Sequence, residues 1–307
     1  MQPSPHQESP MRFNRLATAL VAGIAAVVPI THAAAASSDN QPKKYYLALG
    51  DSLAFGFHQA QFLQELATNS YDPASFNTGY VDDFATRLRT IRPNIQTVNL
   101  SCPGETSTSL VNGGCPFHNP ANPLPLHANY PVTTPQLTAA VAFLHAHPGK
   151  VSPITVDIGG NDLLNLQSSC GGAPGCIQAG LPGVLGSVGS NLDATLRALH
   201  GASPSSEIIV VNYADPYEYV SPATIPVFGA LNSVIGAVAT SDNARLADVF
   251  TPALGFSAAQ FCTLDAICAP PLYDIHPTDA GYAVMADIVW QASGYADGQD
   301  PQVDGSE

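Results

Sequence analysis

The chain has 307 residues, enough for one large or two small domains, and its 24 acidic against 10 basic side chains leave a net charge of −14. That balance argues against nucleic acid as a partner and against electrostatic docking to anionic lipid. Only 11% of residues are charged, so Ser, Thr, Asn, Gln and Gly must make up most of the surface, which by itself points to no activity.

The first 36 residues read as a leader. Arg12 and Arg15 form a basic stretch, Leu16 to Ile30 is apolar and uncharged, and Thr31-His32-Ala33 or Ala34-Ala35-Ala36 offers a small-residue cleavage site. This is the pattern of a secretory signal peptide, with Met11 as a possible start; the run falls short of the about 18 residues of a spanning helix. No later segment reads as membrane-spanning. Glu8, Arg12 and Arg15 sum to +1, so the mature chain stands near −15. A domain over 37–293 and an acidic tail over 294–307, frayed from Gly294, complete the expected organisation.

Tyr45 to Leu49 is an uninterrupted apolar run, as expected of a strand buried on both faces of a parallel sheet. It stops at Gly50-Asp51-Ser52-Leu53, which places a serine just past the carboxyl end of a strand, where open α/β sheets bind ligands. Taken alone the turn reads equally as a bend with an N-cap. Gln59–Ser70 and Gly79–Ile91 read as helices; in the second, Asp82 and Asp83 are adjacent, point to different faces and are expected to be solvated. Gln96–Leu100 is a short strand, and Ser101 to Ser107 a turn opening a helix. Asn112–Thr134, rich in Pro, Asn and His and without periodicity, is expected to form a wall or lid beside the site.

Pro135–His147 follows as a helix, Ile154–Ile158 as a buried strand ending in Gly159-Gly160-Asn161-Asp162, and Ile177–Leu199 as a long helix. Glu207–Asn212 is a strand, Ile225–Ala239 a helix, Arg245–Val249 a fifth strand and Asp279–Trp290 the last helix. Alternating strands and helices imply parallel strands with right-handed crossovers, hence a three-layer α/β/α sandwich in one domain.

Six cysteines fall into couples: Cys102 with Cys115, Cys170 with Cys176, and Cys262 with Cys268. In an exported chain this suggests three local disulfides, each worth roughly 2 to 3 kcal/mol, although six cysteines allow 15 pairings. The intervals of 12, 5 and 5 residues do not match the spacing of a zinc site.

Polar residues recur at strand ends and in one late turn: Ser52, Gly104, Asn161 and His276. In a parallel sheet these strand ends share one edge, so the four can meet. Acyl transfer needs such a set, because a serine is a weak nucleophile without a base, and the tetrahedral oxyanion needs preorganised donors. His276 is the candidate base; backbone N–H groups of Ser52 and Gly104 and the Asn161 amide are the candidate donors. Asn161 as a helix cap and Gly104 as a plain turn residue are the alternatives. Asp51 and Asp162 are expected to brace turns.

The blocks GDSL at Gly50–Leu53, the glycine of CPGETS, GGND at Gly159–Asp162 and DIHPT at Asp274–Thr278 resemble, in order, those of the SGNH or GDSL-like hydrolase superfamily of esterases and lipases. The resemblance implies a flavodoxin-like sheet of about five parallel strands and no metal or cofactor. It also implies Ser52 as nucleophile, His276 as base, and Ser52, Gly104 and Asn161 as oxyanion hole. The three cysteine couples resemble those of secreted actinobacterial-type lipases. The family places its third triad member three residues before the histidine, where this chain has Tyr273; Asp274, two residues before, or a backbone carbonyl is left to orient the ring.

The expected protein is therefore a secreted, monomeric carboxylic ester hydrolase acting on a small-molecule or lipid ester. Polysaccharide deacetylation is the alternative, and a non-catalytic secreted binding protein on the same fold the rival from another class. Phe55, Phe57, Phe117, Leu124 and Leu126 are candidates for an acyl groove or for core.

Overall fold

Residues 41–295 are described by the computed structural model, and they belong to one unit, Asp39–Glu307. The expected leader lies outside the described residues.

Five strands carry the apolar runs: β1 Tyr45–Gly50, β2 Gln96–Asn99, β3 Val151–Asp157, β4 Ile208–Val211 and β5 Arg245–Ala247. They form one sheet in the order β2-β1-β3-β4-β5, every neighbouring pair parallel. This is the doubly wound arrangement in which the sheet is extended first to one side of β1 and then to the other, leaving a crevice at the switch between β1 and β3.

Successive side chains of a strand face opposite ways, so each apolar run feeds two cores. Leu47, Leu49, Ile154, Val156, Ile208 and Val210 face one layer, while Tyr46, Ala48, Ile209 and Val211 face the other. The helices in chain order are α1 Gln59–Thr68, α2 Tyr80–Ile91, α3 Ser107–Asn112, α4 Gln136–Ala146 and α5 Gly160–Ser169. They continue with α6 Pro174–Ala202, α7 Ile225–Ser241, α8 Ala258–Leu264 and α9 Asp279–Ser293. Leu144 of α4, Leu192 and Leu196 of α6, and Leu231 and Ile235 of α7 cover the first face; Phe84 and Leu88 of α2 with Tyr282, Ala286 and Val289 of α9 cover the second. The chain is a three-layer α/β/α sandwich.

Several details depart from the sequence reading. The segment Pro222–Ser241 is apolar and long enough to cross a bilayer by length and composition, contrary to expectation; here it packs through Phe228, Leu231 and Ile235 into the first core. Helix α9 ends at Gly294 in the left-handed conformation, and Tyr295 is buried against Trp290, so the folded body reaches past the expected boundary at 293. Residues 296–307 of the acidic tail lie outside the described residues. Asp82 is only partly solvated, and burial pushes its carboxyl up to about 6.

All three expected disulfides are present, Cys102–Cys115, Cys170–Cys176 and Cys262–Cys268. Cys102–Cys115 pins the segment 112–134 over a small aromatic core of Phe55, Phe57, Phe76 and Leu126. His118 fastens the same segment through Nδ1 to the Leu124 carbonyl at 3.0 Å and Nε2 to the Tyr130 carbonyl at 2.5 Å.

Candidate active site

Strand β1 ends against β3 with Gly50 opposite Asp157, and Gly50 has φ +147°. A Cβ there would lie 2.2 Å from Asp157 Oδ1, so only glycine lets the two strand ends meet this closely. Asp51 then caps a single helical turn, Ser52–Phe55, by accepting the Leu53 N–H at 2.9 Å. The turn reading of this stretch is thus met: Asp51 braces the bend that carries Ser52.

The Ser52 hydroxyl is 2.9 Å from His276 Nε2, and His276 Nδ1 is 2.5 Å from Asp274 Oδ1. Of the two options for orienting the ring, the carboxylate stands at Nδ1. Asp274 Oδ1 also accepts the His276 backbone N–H at 3.3 Å, and its Oδ2 accepts the Gln59 N–H at 2.8 Å. Burial alone would raise this carboxyl, but the hydrogen bond and charge of His276 with the Gln59 N–H outweigh it and hold it below the usual carboxylate range. Tyr273, where the family spacing would put the acid, is 58% exposed and takes a left-handed φ of +48°. The ring of Phe57 packs on the imidazole at 4.9 Å between centroids.

Asn161 opens helix α5, and its Nδ2 donates to the Glu105 carbonyl at 3.0 Å and, at 3.3 Å, to Asp51 Oδ2. Gly104 has φ +80° and a Cβ there would sit 3.0 Å from Pro116. The N–H groups of Ser52 and Gly104 have no hydrogen-bond acceptor among the described residues. Asp162 accepts from the Ser107 N–H at 2.8 Å and from its hydroxyl at 2.7 Å, tying α5 to the turn that carries Gly104. Ser52, Asn161 and His276 line one small cleft, about 70 Å³, together with Leu164, Phe228, Asp265 and Met285.

A buried polar layer beneath this cleft was not foreseen from sequence. Gln136 of α4 pairs with both backbone groups of Gly50, accepting its N–H at 2.7 Å and donating to its carbonyl at 3.0 Å, and donates to Glu105 Oε2 at 2.9 Å. Tyr213 donates to Asp51 Oδ2 at 2.8 Å and Tyr80 to Asp157 Oδ1 at 2.7 Å. Burial pushes the Asp51 and Asp157 carboxyls up, the latter further because of Asp51 beside it.

Burial likewise pushes Glu105 up to about 7, against hydrogen bonds from Ser109 and Gln136 that act the other way. An unfolded glutamate titrates near 4.5. Between those values the folded state binds more protons, so stability falls as pH rises from 4.5 and the loss is complete above about 7, a difference of roughly 3 kcal/mol. Glu105→Gln is expected to hold its melting temperature better than the parent between pH 6 and 8. Thermal melts of the two proteins across that range check this; parallel curves would contradict it.

Of the two readings left for the apolar residues near Ser52, Phe55, Phe57 and Leu126 take the core one, and neither they nor Phe117 and Leu124 line the cleft. The segment 112–134 contributes no residue to the lining of the cleft, and stands beside the site where Pro116 flanks Gly104 and Phe117 packs on Phe57. Among the described residues one cluster, Cys102, Glu105 and Cys115, has metal-ligand proximity, but its two sulfurs are joined to each other.

A parallel doubly wound sheet with these polar residues at its carboxyl edge is the fold of three-layer α/β/α hydrolases. The chain belongs to the GDSL-like lipase/acylhydrolase family, whose model matches residues 48–284. Its fold is similar to that of an extracellular lipase from Streptomyces rimosus, at 18% identity and TM-score 0.55, covering 81% of this chain and 99% of that one. Phospholipase A1 from Streptomyces albidoflavus is similar at 17% identity and TM-score 0.55, covering 81% and 99%. An acetylxylan esterase from Geobacillus stearothermophilus is similar at 15% identity and TM-score 0.53, covering 83% and 95%. No curated protein sequence matches the chain.

Proposed function

We propose that this protein is a secreted serine esterase or lipase, acting as a monomer through an acyl-enzyme. Ser52 Oγ attacks the ester carbonyl while His276 Nε2 takes its proton, and Asp274 holds the ring and stabilises the imidazolium. The oxyanion is received by the free N–H groups of Ser52 and Gly104 and by the Asn161 amide, whose longer 3.3 Å bond to Asp51 Oδ2 gives way to it, one such donor being worth roughly 3 to 4 kcal/mol of barrier. His276 then gives its proton to the departing alcohol, and water repeats the sequence to release the acid. The observation that carries this reading is the hydrogen-bonded row of Ser52, His276 and Asp274, at 2.9 and 2.5 Å. Secretion is supported by the leader pattern, the three disulfides and the extracellular origin of a structural neighbour.

A fluorophosphonate tests the assignment directly. Ser52 Oγ displaces fluoride from phosphorus, leaving a stable phosphonyl ester. Peptide mass spectrometry is expected to find a single adduct, on Ser52; no adduct, or one on another serine, would sink the proposal. Polysaccharide deacetylation is the second reading, favoured by how small the cleft beside Ser52 is, about 70 Å³. The same outcome of labelling is expected there, so the substrates must be separated by other means.

A further inference from the structure

The buried stripe of helix α4 is Gln136, Ala140 and Leu144, spaced about one turn apart, so a primary amide stands where an apolar residue would be expected. Gln136 is 1% exposed, and burying an amide is unfavourable unless it is hydrogen-bonded. Strand β1 pairs with β2 only as far as Ala48 opposite Asn99, so that ladder has ended before Gly50. The Gln136 amide takes over as the missing strand partner, accepting the Gly50 N–H at 2.7 Å and donating to the Gly50 carbonyl at 3.0 Å. It also donates to Glu105 Oε2 at 2.9 Å. One side chain thus grips both the turn that leads to Ser52 and the turn that carries Gly104.

Other bonds cross between these turns. The Cys102 N–H donates to the Gly50 carbonyl at 3.1 Å, and Asn161 Nδ2 reaches the Glu105 carbonyl at 3.0 Å and Asp51 Oδ2 at 3.3 Å. The Asn161 bond to Asp51 is the one given up when that amide turns to the oxyanion, so during the reaction the side-chain link between the turns falls to Gln136. We propose that Gln136 is a positioning residue for the reaction: by tying Gly50 to the Glu105 carboxyl, it sets the spacing between the Ser52 and Gly104 N–H groups that receive the oxyanion. The proposal rests on the reading of Ser52 as nucleophile and deepens it. Gln136 does not line the cleft, so its effect passes through the two turns. Preorganised donors act only where they are aimed, and a displacement of about 1 Å can cost about a hundredfold in rate.

The test measures kcat and KM of the whole protein on p-nitrophenyl butyrate, with kcat expressed per Ser52 that a fluorophosphonate labels at completion. Counting labelled sites removes any loss of folded protein. Gln136→Met, which keeps the length of the side chain and removes all three bonds, is expected to lower per-site kcat about a hundredfold with little change in KM. Glu105→Leu cuts the bridge from its other end. It leaves both Gly50 bonds and the Asn161 bond to the backbone carbonyl in place, and it removes a buried carboxyl whose Oε1 has no hydrogen-bond partner among the described residues, so the fold is expected to hold. Its per-site kcat is expected to fall roughly tenfold. Glu105→Gln, whose amide oxygen accepts the same bond, is expected to recover most of that loss. A per-site kcat equal to the parent's in either Gln136→Met or Glu105→Leu would overturn the proposal, as would a Glu105→Gln no faster than Glu105→Leu or a change confined to KM. In each of those cases Ser52 still labels, and the nucleophile assignment stands. No adduct on Ser52 of the parent would overturn that assignment, and the role of Gln136 with it.

Discussion

Ser52→Ala is expected to lower kcat on an activated ester by about a millionfold, close to the loss of the entire proposed catalytic row. The hydroxyl is the only group in the row that can form the acyl bond, and His276 Nε2 stands 2.9 Å from it with no second hydroxyl in the cleft lining other than that of Tyr213, which donates to Asp51. Removing one oxygen from a half-buried side chain in a single capped turn leaves Asp51 and its bond to Leu53 in place, so the fold is expected to survive. Steady-state kinetics with p-nitrophenyl butyrate, alongside a melting curve, checks both parts. Retained turnover in a folded variant would end the nucleophile assignment.

Asp274→Asn is expected to cost about ten-thousandfold in kcat with little change in stability. The reason is specific to this site. The carboxylate accepts from Gln59 N–H at 2.8 Å on one oxygen, and from His276 Nδ1 at 2.5 Å and the His276 backbone N–H at 3.3 Å on the other. An amide has one oxygen for these two sides. Turning it to Gln59 sacrifices only the longest bond, and then the NH2 faces Nδ1, which must present its lone pair. The ring proton moves to Nε2, toward Ser52, and the serine loses its acceptor. Kinetics together with the rate of phosphonate labelling of Ser52 reads this out; equal rates in variant and parent would mean the ring is oriented by something other than Asp274.

The sheet and the four strand-end or turn residues were legible because each rests on a local pattern. An apolar run buried on both faces reads as a strand wherever it occurs, and the polar turn after it falls at the ligand edge of any parallel sheet. Tyr273 and Asp274 were legible only as a choice, since two or three residues of spacing differ by a backbone conformation that composition does not reveal; the left-handed φ of Tyr273 is that missing information. Gln136, Tyr80 and Tyr213 were not legible at all. They serve Gly50, Asp157 and Asp51 from 86, 77 and 162 residues away, and nothing near them in the chain marks them. Phe55, Phe57 and Leu126 were open between groove and core, and only the fold shows them to be core. Apolar residue type alone cannot separate a filled interior from the wall of a hollow.

The eight residues from Ser52 to Gln59 carry the hydroxyl, the Phe57 ring that packs on His276 and the N–H that holds Asp274. Ser52 and His276, 224 positions apart, and the Asp274 behind the ring are therefore all keyed to one short segment near the beginning of the domain. A chain still emerging from the ribosome, or clipped ahead of Asp274, would display that segment as an inert alcohol on a turn. Hydrolytic power would switch on only with the last stretch docked, which makes enzyme activity a reporter of completed synthesis and a fragment-complementation assay, splitting the chain before Asp274, a practical way to follow it.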